Sequence, residues 1–171
     1  MFSAADEREL EALVRTHYAE VWTFCRSLVG QDVADDLAQE TFIGAGRALA
    51  DFRGETGVRP WLLSIARRTC IDELRRRSRR SRRNHDLANL DRAAGIECPR
   101  TGFEARDLIG QLEPNRRAAF ALTQLLGLSY AEAAQVCDCA VGTIRSRVAR
   151  ARADLIALLE DSAEPAARDR G

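Results

Sequence analysis

The chain has 171 residues, of which 30% are charged and 46% are hydrophobic, a balance typical of a soluble globular protein with one domain or two small ones. No apolar run approaches the length of a membrane span, and the N-terminus from Met1 to Glu11 is too polar and acidic for a signal peptide. The sequence therefore predicts a cytoplasmic protein without membrane insertion.

The charges are unevenly distributed, although 26 basic residues balance 26 acidic ones. Residues 1–74 contain thirteen acidic side chains and eight arginines. The run "RRRSRRSRR" at residues 75–83 contains seven arginines and no acid. Such a run is either a solvated surface or an unspecific, salt-sensitive grip on phosphates.

Apolar residues recur at helical spacing in the first half of the chain, and no useful strand-like alternation occurs. A first helix is predicted from Glu9 to Val29, where Gly30 ends it. A second helix is predicted from an N-cap at Asp32 to about Leu49. Acidic residues in its first turn are favoured by the helix dipole.

The stretch "DFRGETGVRPW" interrupts this pattern with two glycines and a proline. Pro60 suits the first turn of a helix, because its missing N–H would have had no partner there. We therefore predict a third helix from Trp61 to Arg77 or beyond, with a broad apolar side. Arg68 and Arg75 lie seven residues apart in one stripe beside that side.

The apolar rhythm fades after this helix, and residues 81–107 are predicted to form a flexible linker. In the second half, Pro114 opens a helix and Gly127 stops it. The predicted fold class is all-α, with two small helical domains. These comprise residues 1–80 and 108–160, and residues 161–171 are predicted to be a disordered tail.

The stretch "LSYAEAAQVCDCAVGTIRSRVARARADL" has the features of a helix-turn-helix. Ser129 and Glu132 fit a capping box at the start of a short helix. Cys137 to Cys139 fit the turn, and a second helix is predicted from about Ala140. Its exposed face carries small residues and arginines, which suit a DNA major groove. The residues on or beside that face are Thr143, Arg145, Ser146, Arg147, Ala149 and Arg150.

The two cysteines of the turn have three interpretations: packing in the core or turn, a redox sensor, or a metal site. We favour packing, because structural zinc needs about four ligands and neither His17 nor His85 is near Cys137 and Cys139 in sequence. The five cysteines are odd in number and irregularly spaced, and we expect reduced thiols. No metal and no cofactor are predicted.

Two stretches carry a family resemblance. "DVADDLAQETFIGAGRAL" at 32–49 resembles the polymerase-binding helix of bacterial sigma factors, and "FRGETGVRPWLLSIARRTCIDELRRR" at 52–77 resembles the adjoining −10-element segment. With the helix-turn-helix, the chain resembles an extracytoplasmic-function (group IV) sigma factor of the sigma-70 family over residues 8–77 and 108–159. The two predicted domains then correspond to sigma regions 2 and 4.

The resemblance implies three groups of functional residues. The surface expected to dock on the clamp helices of the polymerase β′ subunit comprises Asp35, Asp36, Leu37, Gln39, Glu40 and Phe42. The set expected to contact the −10 element comprises Arg53, Gly54, Glu55, Thr56, Arg67, Arg68, Asp72, Arg75 and Arg76. The −35 element is expected to meet the exposed face of the second helix of the helix-turn-helix.

Several of these residues have a second interpretation. Leu37 and Phe42 are alternatively core residues, and Trp61 is interpreted as core rather than as a base stack. Arg68 contacts either a phosphate or Asp72 one turn later. Under this resemblance, the arginine run at residues 75–83 is expected either to bind DNA phosphates or to begin a linker that passes through the polymerase.

The implied partners are core RNA polymerase, through its β′ clamp helices and β flap, promoter DNA and an anti-sigma factor. The alternative function is a stand-alone helix-turn-helix regulator that binds duplex DNA without polymerase. An enzyme is disfavoured, because the chain has two distant histidines and neither a Gly-rich phosphate loop after a strand nor nucleophile–base spacing.

Overall fold

The computed structural model describes the backbone of residues 4–54, 57–88 and 105–163, and the side chains of residues 7–54, 57–81 and 108–161. The described segments contain seven α-helices and no strand, which confirms the predicted all-α fold class. The helices are α1 (Ala4–Val29), α2 (Ala34–Ala48), α3 (Val58–Ala88), α4 (Ala105–Gln111), α5 (Pro114–Phe120), α6 (Tyr130–Cys137) and α7 (Val141–Ala163).

Helices α1, α2 and α3 pack against one another and form the N-terminal domain. Their shared core includes the fully buried side chains of Phe24, Leu28 and Leu63. The chain leaves α1 at Gly30, whose φ of 93° lies in the left-handed region that favours glycine. A short 3₁₀ turn, Gln31–Val33, then leads into α2.

The predicted N-cap at Asp32 is wrong. Asp32 lies inside the 3₁₀ turn, and the N-cap of α2 is Val33, which makes no side-chain capping bond. The extra turn separates Gly30 from α2, so the first acidic residue falls short of the cap position. Asp35 and Asp36 lie in the first turn of α2, where the helix dipole favours carboxylates.

Helices α4 to α7 form the C-terminal domain, in which α5 and α6 both pack on α7. Pro114 is the first residue of α5, as predicted, and the Glu113 side chain caps the helix by accepting the Arg116 N–H at 3.1 Å. The helix widens into one π-helical stretch, Ala121–Leu125. It ends at Gly127, which has a φ of 69°.

The two domains pack directly against each other: α3 contacts α6, and α1 contacts α4 and α5. A continuous cluster of buried apolar side chains includes Phe24 of the N-terminal domain and Ile144 of the C-terminal domain. Both ends of the predicted linker are helical, because α3 continues to Ala88 and α4 begins at Ala105. The rest of that linker lies outside the described residues, as does the predicted tail beyond the end of α7.

Candidate polymerase and nucleic-acid interfaces

One side of α2 forms an exposed acidic surface. Asp35, Asp36, Gln39 and Glu40 are all exposed, and their spacing of three and four residues places them on neighbouring parts of one helical face. The Tyr18 hydroxyl of α1 donates a hydrogen bond to Asp35 Oδ1 at 3.1 Å, which fixes one edge of the surface. This surface can meet a basic partner without any rearrangement of the helix.

Leu37 and Phe42 do not belong to that surface. Their exposed fractions are 4% and 5%, and both lie in the core of the N-terminal domain. The buried residues of α2 follow the helical period, so these two side chains point toward α1 and α3. The expectation that Leu37 and Phe42 face the polymerase is wrong. Both side chains pack in the core beneath the acidic face and anchor α2 to the domain.

Ile43 is a member of this face that the sequence analysis missed. Its side chain is 55% exposed, and it lies seven residues after Asp36 and four after Gln39. An apolar residue that continues a polar stripe at helical spacing is the sequence signal that could have identified it. It adds an exposed apolar contact at the end of the acidic surface.

The loop between α2 and α3 carries the first part of the predicted −10 set. Arg53 and Gly54 are exposed, and Gly54 has a φ of 76°. Gly57 closes the loop by donating its N–H to the Gly54 carbonyl at 3.2 Å. Glu55 and Thr56 lie outside the described residues. The two glycines that flank these residues are thus joined by a hydrogen bond, and the Arg53 side chain is exposed to solvent.

Trp61 lies just behind that loop. It is half-buried against the core of the domain, and its ring packs on Phe52 with centroids 4.5 Å apart. This partial burial against the core agrees with the interpretation of Trp61 as a packing residue. The aromatic pair joins the start of the loop, at Phe52, to the first turns of α3.

The exposed side of α3 carries arginines that are paired with acids on the same helix. Arg75 lies 3.6 Å from Asp72, and Arg76 lies 3.1 Å from Glu73. Asp72 pairs with Arg75, and the structure shows no ion pair between it and Arg68. The exposed guanidinium of Arg68 is left free for another partner, which favours the phosphate interpretation.

Arg67 is the member of the −10 set that the C-terminal domain covers. It is half-buried, and its Nε is buried without a hydrogen-bond partner among the described residues. The guanidinium lies close to Cys137 of α6: burial raises the pKa of that thiol, and the charge of Arg67 offsets part of the shift. A predicted −10 residue therefore lies in the interface between the domains.

The helix-turn-helix begins with the predicted capping box. The Glu132 N–H donates to Ser129 Oγ at 3.2 Å, and the Ser129 N–H donates to the Glu132 carboxylate at 2.8 Å. The hydrogen bonds from the Ser129 side chain and backbone lower the pKa of Glu132. The start of α6 is thereby fixed, which confirms the prediction.

The turn is tight and contains one left-handed residue. Asp138 has a φ of 49° and is the one non-glycine residue with positive φ in the described part of the chain. The Cys139 N–H donates to the Ala134 carbonyl at 3.1 Å, and α7 begins at Val141. The turn therefore takes the unusual backbone angles that aspartate tolerates less well than glycine.

Helix α7 separates an apolar side from a cationic side as predicted. Ile144, Val148 and Ala151 are fully buried against the other helices of the domain. The described surroundings offer no hydrogen bond or ion pair to Arg145 or Arg150. The exposed members of the predicted −35 set are Arg145, Ser146, Ala149 and Arg150, and the half-buried members are Thr143 and Arg147.

The turn cysteines pack in the domain. Cys137 is 4% exposed, Cys139 packs against the core, and Arg147 Nη1 donates to Cys139 Sγ at 3.6 Å. The four described cysteines are free thiols, and Cys98 lies outside the described residues. Within the described segments, no group of three or more metal-binding side chains occurs. No described helix is long and apolar enough to cross a membrane.

Comparison with known proteins identifies the family. Residues 13–80 match the sigma-70 region 2 family and residues 103–155 match the sigma-70 region 4 family. The chain is 46% identical over 156 residues to the ECF RNA polymerase sigma factor SigC of Mycobacterium tuberculosis, covering 88% of this chain and 83% of the relative. It is 38% identical to the ECF sigma factor EcfG of Rhodopseudomonas palustris, over 80% and 77% of the two chains.

A solved structure shows the same architecture. The sigma factor RpoE of Bartonella quintana, solved with the anti-sigma factor NepR, is similar with a TM-score of 0.73 and 28% identity, over 90% of this chain and 98% of that one. The chain therefore belongs to the sigma-70 family, as an extracytoplasmic-function RNA polymerase sigma factor with regions 2 and 4.

Proposed function

We propose that this protein acts in the bacterial cytoplasm as the promoter-specificity subunit of RNA polymerase, with no reaction of its own. It recruits the core enzyme, reads the −35 element as duplex DNA and assists opening of the −10 element. The observation that carries the proposal is the combination of two separate surfaces in one chain. One is the exposed acidic face of α2, and the other is the cationic face of α7.

The acidic face is suited to the β′ clamp helices. Asp36, Gln39 and Glu40 are exposed and have no intramolecular hydrogen bond or ion pair among the described residues. Ile43 adds an apolar contact beside them. The charges of such a face speed its encounter with an oppositely charged partner. The apolar side chain adds a contact from which water is excluded.

The α7 face is suited to the major groove at the −35 element. Arg145 and Arg150 project from exposed positions, and the small residues Ser146 and Ala149 between them allow the helix to approach base edges. Arginine pairs bidentately with guanine O6 and N7, and each such contact discriminates by about 1–3 kcal/mol. The other arginines of α7 contact DNA phosphates and thereby fix the position of the helix along the DNA.

The −10 element is assigned to the α2–α3 loop and the exposed side of α3. Among the arginines of the predicted −10 set, Arg53 and Arg68 are exposed and not engaged by a neighbouring carboxylate in the described residues. Single-stranded DNA is held by cations along its backbone and by polar groups at unstacked bases. The loop sequence Glu55-Thr56 supplies such polar groups.

Run-off transcription from a genomic promoter library tests this function. Core polymerase is assayed with and without the purified protein. We expect promoter-specific transcripts that require both, and their shared sequences identify the bases read. Tight promoter binding by the protein alone, without such transcripts, would favour the stand-alone regulator.

The docking surface has its own test. Asp36→Arg and Glu40→Arg reverse charges on the α2 face, whereas Glu11→Arg reverses an exposed charge on α1 outside it. We expect each α2 variant to weaken core-polymerase binding about tenfold or more, and the α1 variant to bind normally. Equal binding by all three variants would remove α2 from the interface.

An anti-sigma factor is a further proposed partner. The solved relatives RpoE and CnrH are each bound to another protein, the anti-sigma factor NepR and the cytosolic domain of CnrY. CnrH is 30% identical to this chain, with a TM-score of 0.67 over 91% of it. Co-purification of the tagged protein from its own host, followed by mass spectrometry, tests for such a partner.

A further inference from the structure

Val141, the first residue of α7, is an apolar side chain that the domain leaves in water. The 3.6-residue period of the helix groups it with Ile144 and Val148, which are 0% and 1% exposed. Val141 is 40% exposed instead. A single exposed valine is ordinary on a protein surface, so its neighbours decide whether it has a role.

The neighbours of Val141 along the helix belong to its cationic face. Arg145 lies four residues later, one turn along the same side of α7, and it is exposed without an ion pair among the described residues. Gly142 comes directly after Val141, and a Cβ at that position would meet no atom within 4 Å. The space beside Gly142 is therefore open, so a surface that contacts Arg145 can also reach Val141.

The surroundings of Val141 outside its own helix are mostly small side chains. It borders an open depression of about 500 Å³, whose walls include the three alanines Ala131, Ala134 and Ala140. The described residues that line the depression include the carboxylate of Asp138 and no arginine, so it does not suit a DNA phosphate. An apolar group of the partner is the better match for this place.

The DNA major groove offers one such group. The C5 methyl of thymine is the apolar feature of the base edges, whereas the other edge groups are hydrogen-bond donors and acceptors that a valine cannot use. In helix-turn-helix proteins, residues near the N-terminus of the second helix contact the base edges. Val141 occupies that part of α7, and thymine presents the chemistry that its side chain fits.

We propose that Val141 reads a thymine of the −35 element through contact with its C5 methyl group, beside the group that Arg145 binds. The inference deepens the proposed function and rests on it, because α7 has to enter the major groove at −35. It adds an apolar specificity contact to the arginine contacts of the same face. Burial of one methyl-sized group changes affinity about fourfold, so thymine should be preferred over uracil by about that factor.

The test uses core RNA polymerase reconstituted with the full-length protein and a promoter found by run-off transcription. Each thymine on both strands of the −35 element is replaced singly by deoxyuridine, which removes only the methyl group. Competition binding compares the wild type with Val141→Ala. Ile156→Ala is the matched control, because Ile156 is an aliphatic residue of α7 that is 57% exposed and lies about 22 Å further along the helix.

With the wild type, deoxyuridine at one thymine should weaken binding about fourfold. Val141→Ala should bind the unmodified promoter about fourfold more weakly and lose no further affinity at that thymine, because the partner of the methyl group is already gone. Val141→Ile keeps an apolar side chain and should keep the deoxyuridine penalty. The Ile156→Ala control should behave as the wild type at every thymine.

Equal deoxyuridine penalties in the wild type and Val141→Ala would overturn the inference, and so would a wild type without a penalty at any thymine. Weaker binding of Val141→Ala to core polymerase without DNA would place the residue in a protein interface and overturn it as well. A merely structural effect of the substitution is distinguishable, since it would weaken binding to all templates alike and leave each penalty in place.

A promoter with a scrambled −35 element separates this inference from the proposed function. Unchanged binding of the wild-type holoenzyme to that promoter would count against both, because the −35 element is then not read. Lost binding to the scrambled promoter, without coupling between Val141 and any thymine methyl, would overturn the inference alone.

Discussion

Helices α3 and α7 are both rich in arginine, yet they hold their cations in different ways. On α3, Arg75 and Arg76 pair with acids of the same helix, and Arg67 is covered by α6. On α7, Arg145 and Arg150 are exposed and unpaired among the described residues. The comparison teaches that the number of arginines does not define a DNA-reading face, because an arginine must also be free of internal carboxylates.

The α7 face is ready to bind, and removing its free cations should have the largest effect. Arg145→Ala combined with Arg150→Ala should lower promoter-specific run-off transcription about 100-fold or more, because two base or phosphate contacts are lost. The control Arg152→Ala removes an exposed arginine of the same helix that is held by Gln124 at 2.7 Å. An equal loss of transcription in the double variant and in the Arg152→Ala control would show that the charge of the helix matters for promoter recognition, and not the position of each arginine.

The second test concerns how firmly α6 and α7 are positioned. Ser129→Ala removes the capping box and should lower the free energy of unfolding by about 1 kcal/mol, measured by urea denaturation. Ser27→Ala is the control, since Ser27 bonds only to the Phe24 carbonyl within α1. An equal loss of unfolding free energy in Ser27→Ala would show that the capping box stabilises the protein no more than a local hydrogen bond within a helix does.

The same cap predicts a pH dependence. Hydrogen bonds from Ser129 hold the pKa of Glu132 below its ordinary value of 4.5 in the folded protein. The stabilisation is therefore present above pH 4.5 and is lost as the pH falls through the lowered folded value. Thermal melts of wild type and Glu132→Gln between pH 7 and pH 3 should converge at the acid end, and parallel curves would contradict the assignment.

A substitution in the turn between α6 and α7 should change the free energy of unfolding by less, and it should stabilise the protein. Asp138→Gly places the residue best suited to positive φ at the left-handed position and should stabilise the protein by about 0.5–1 kcal/mol. Gly127→Ala, which forces a side chain onto a φ of 69°, should destabilise it. Urea denaturation of both variants measures the contrast, and equal shifts in one direction would contradict the backbone argument.

The smallest expected effect comes from releasing the paired arginines of α3. Glu73→Gln removes the carboxylate shared by Arg76 and Arg77. Exposed ion pairs contribute about 0–1 kcal/mol, so stability should hardly change. Binding of a single-stranded −10 oligonucleotide should become tighter and more salt-dependent, as measured by fluorescence anisotropy. Unchanged binding would show that the pairs do not restrain these arginines.

Local signals predicted much of this molecule, because they depend on neighbours along the chain. Gly30 and Gly127 ended helices where φ is positive, Pro114 opened α5, and the Ser129–Glu132 box formed as its spacing required. The cationic face of α7 followed from its 3.6-residue period alone. The local signal failed at Asp32, because an intervening 3₁₀ turn moves the N-cap of α2 to Val33.

The sequence by itself thus determined most of the helices, the all-α class with two domains and the cationic face of the helix-turn-helix, because caps, turns and periodicity act over a few residues. Only the tertiary structure decided that Leu37 and Phe42 are core, that Arg67 is covered and that Arg59 and Arg117 each donate to a carbonyl of the other domain. These facts depend on residues far apart in the chain that share one core. No periodicity within a single helix encodes which distant carbonyl a guanidinium will reach.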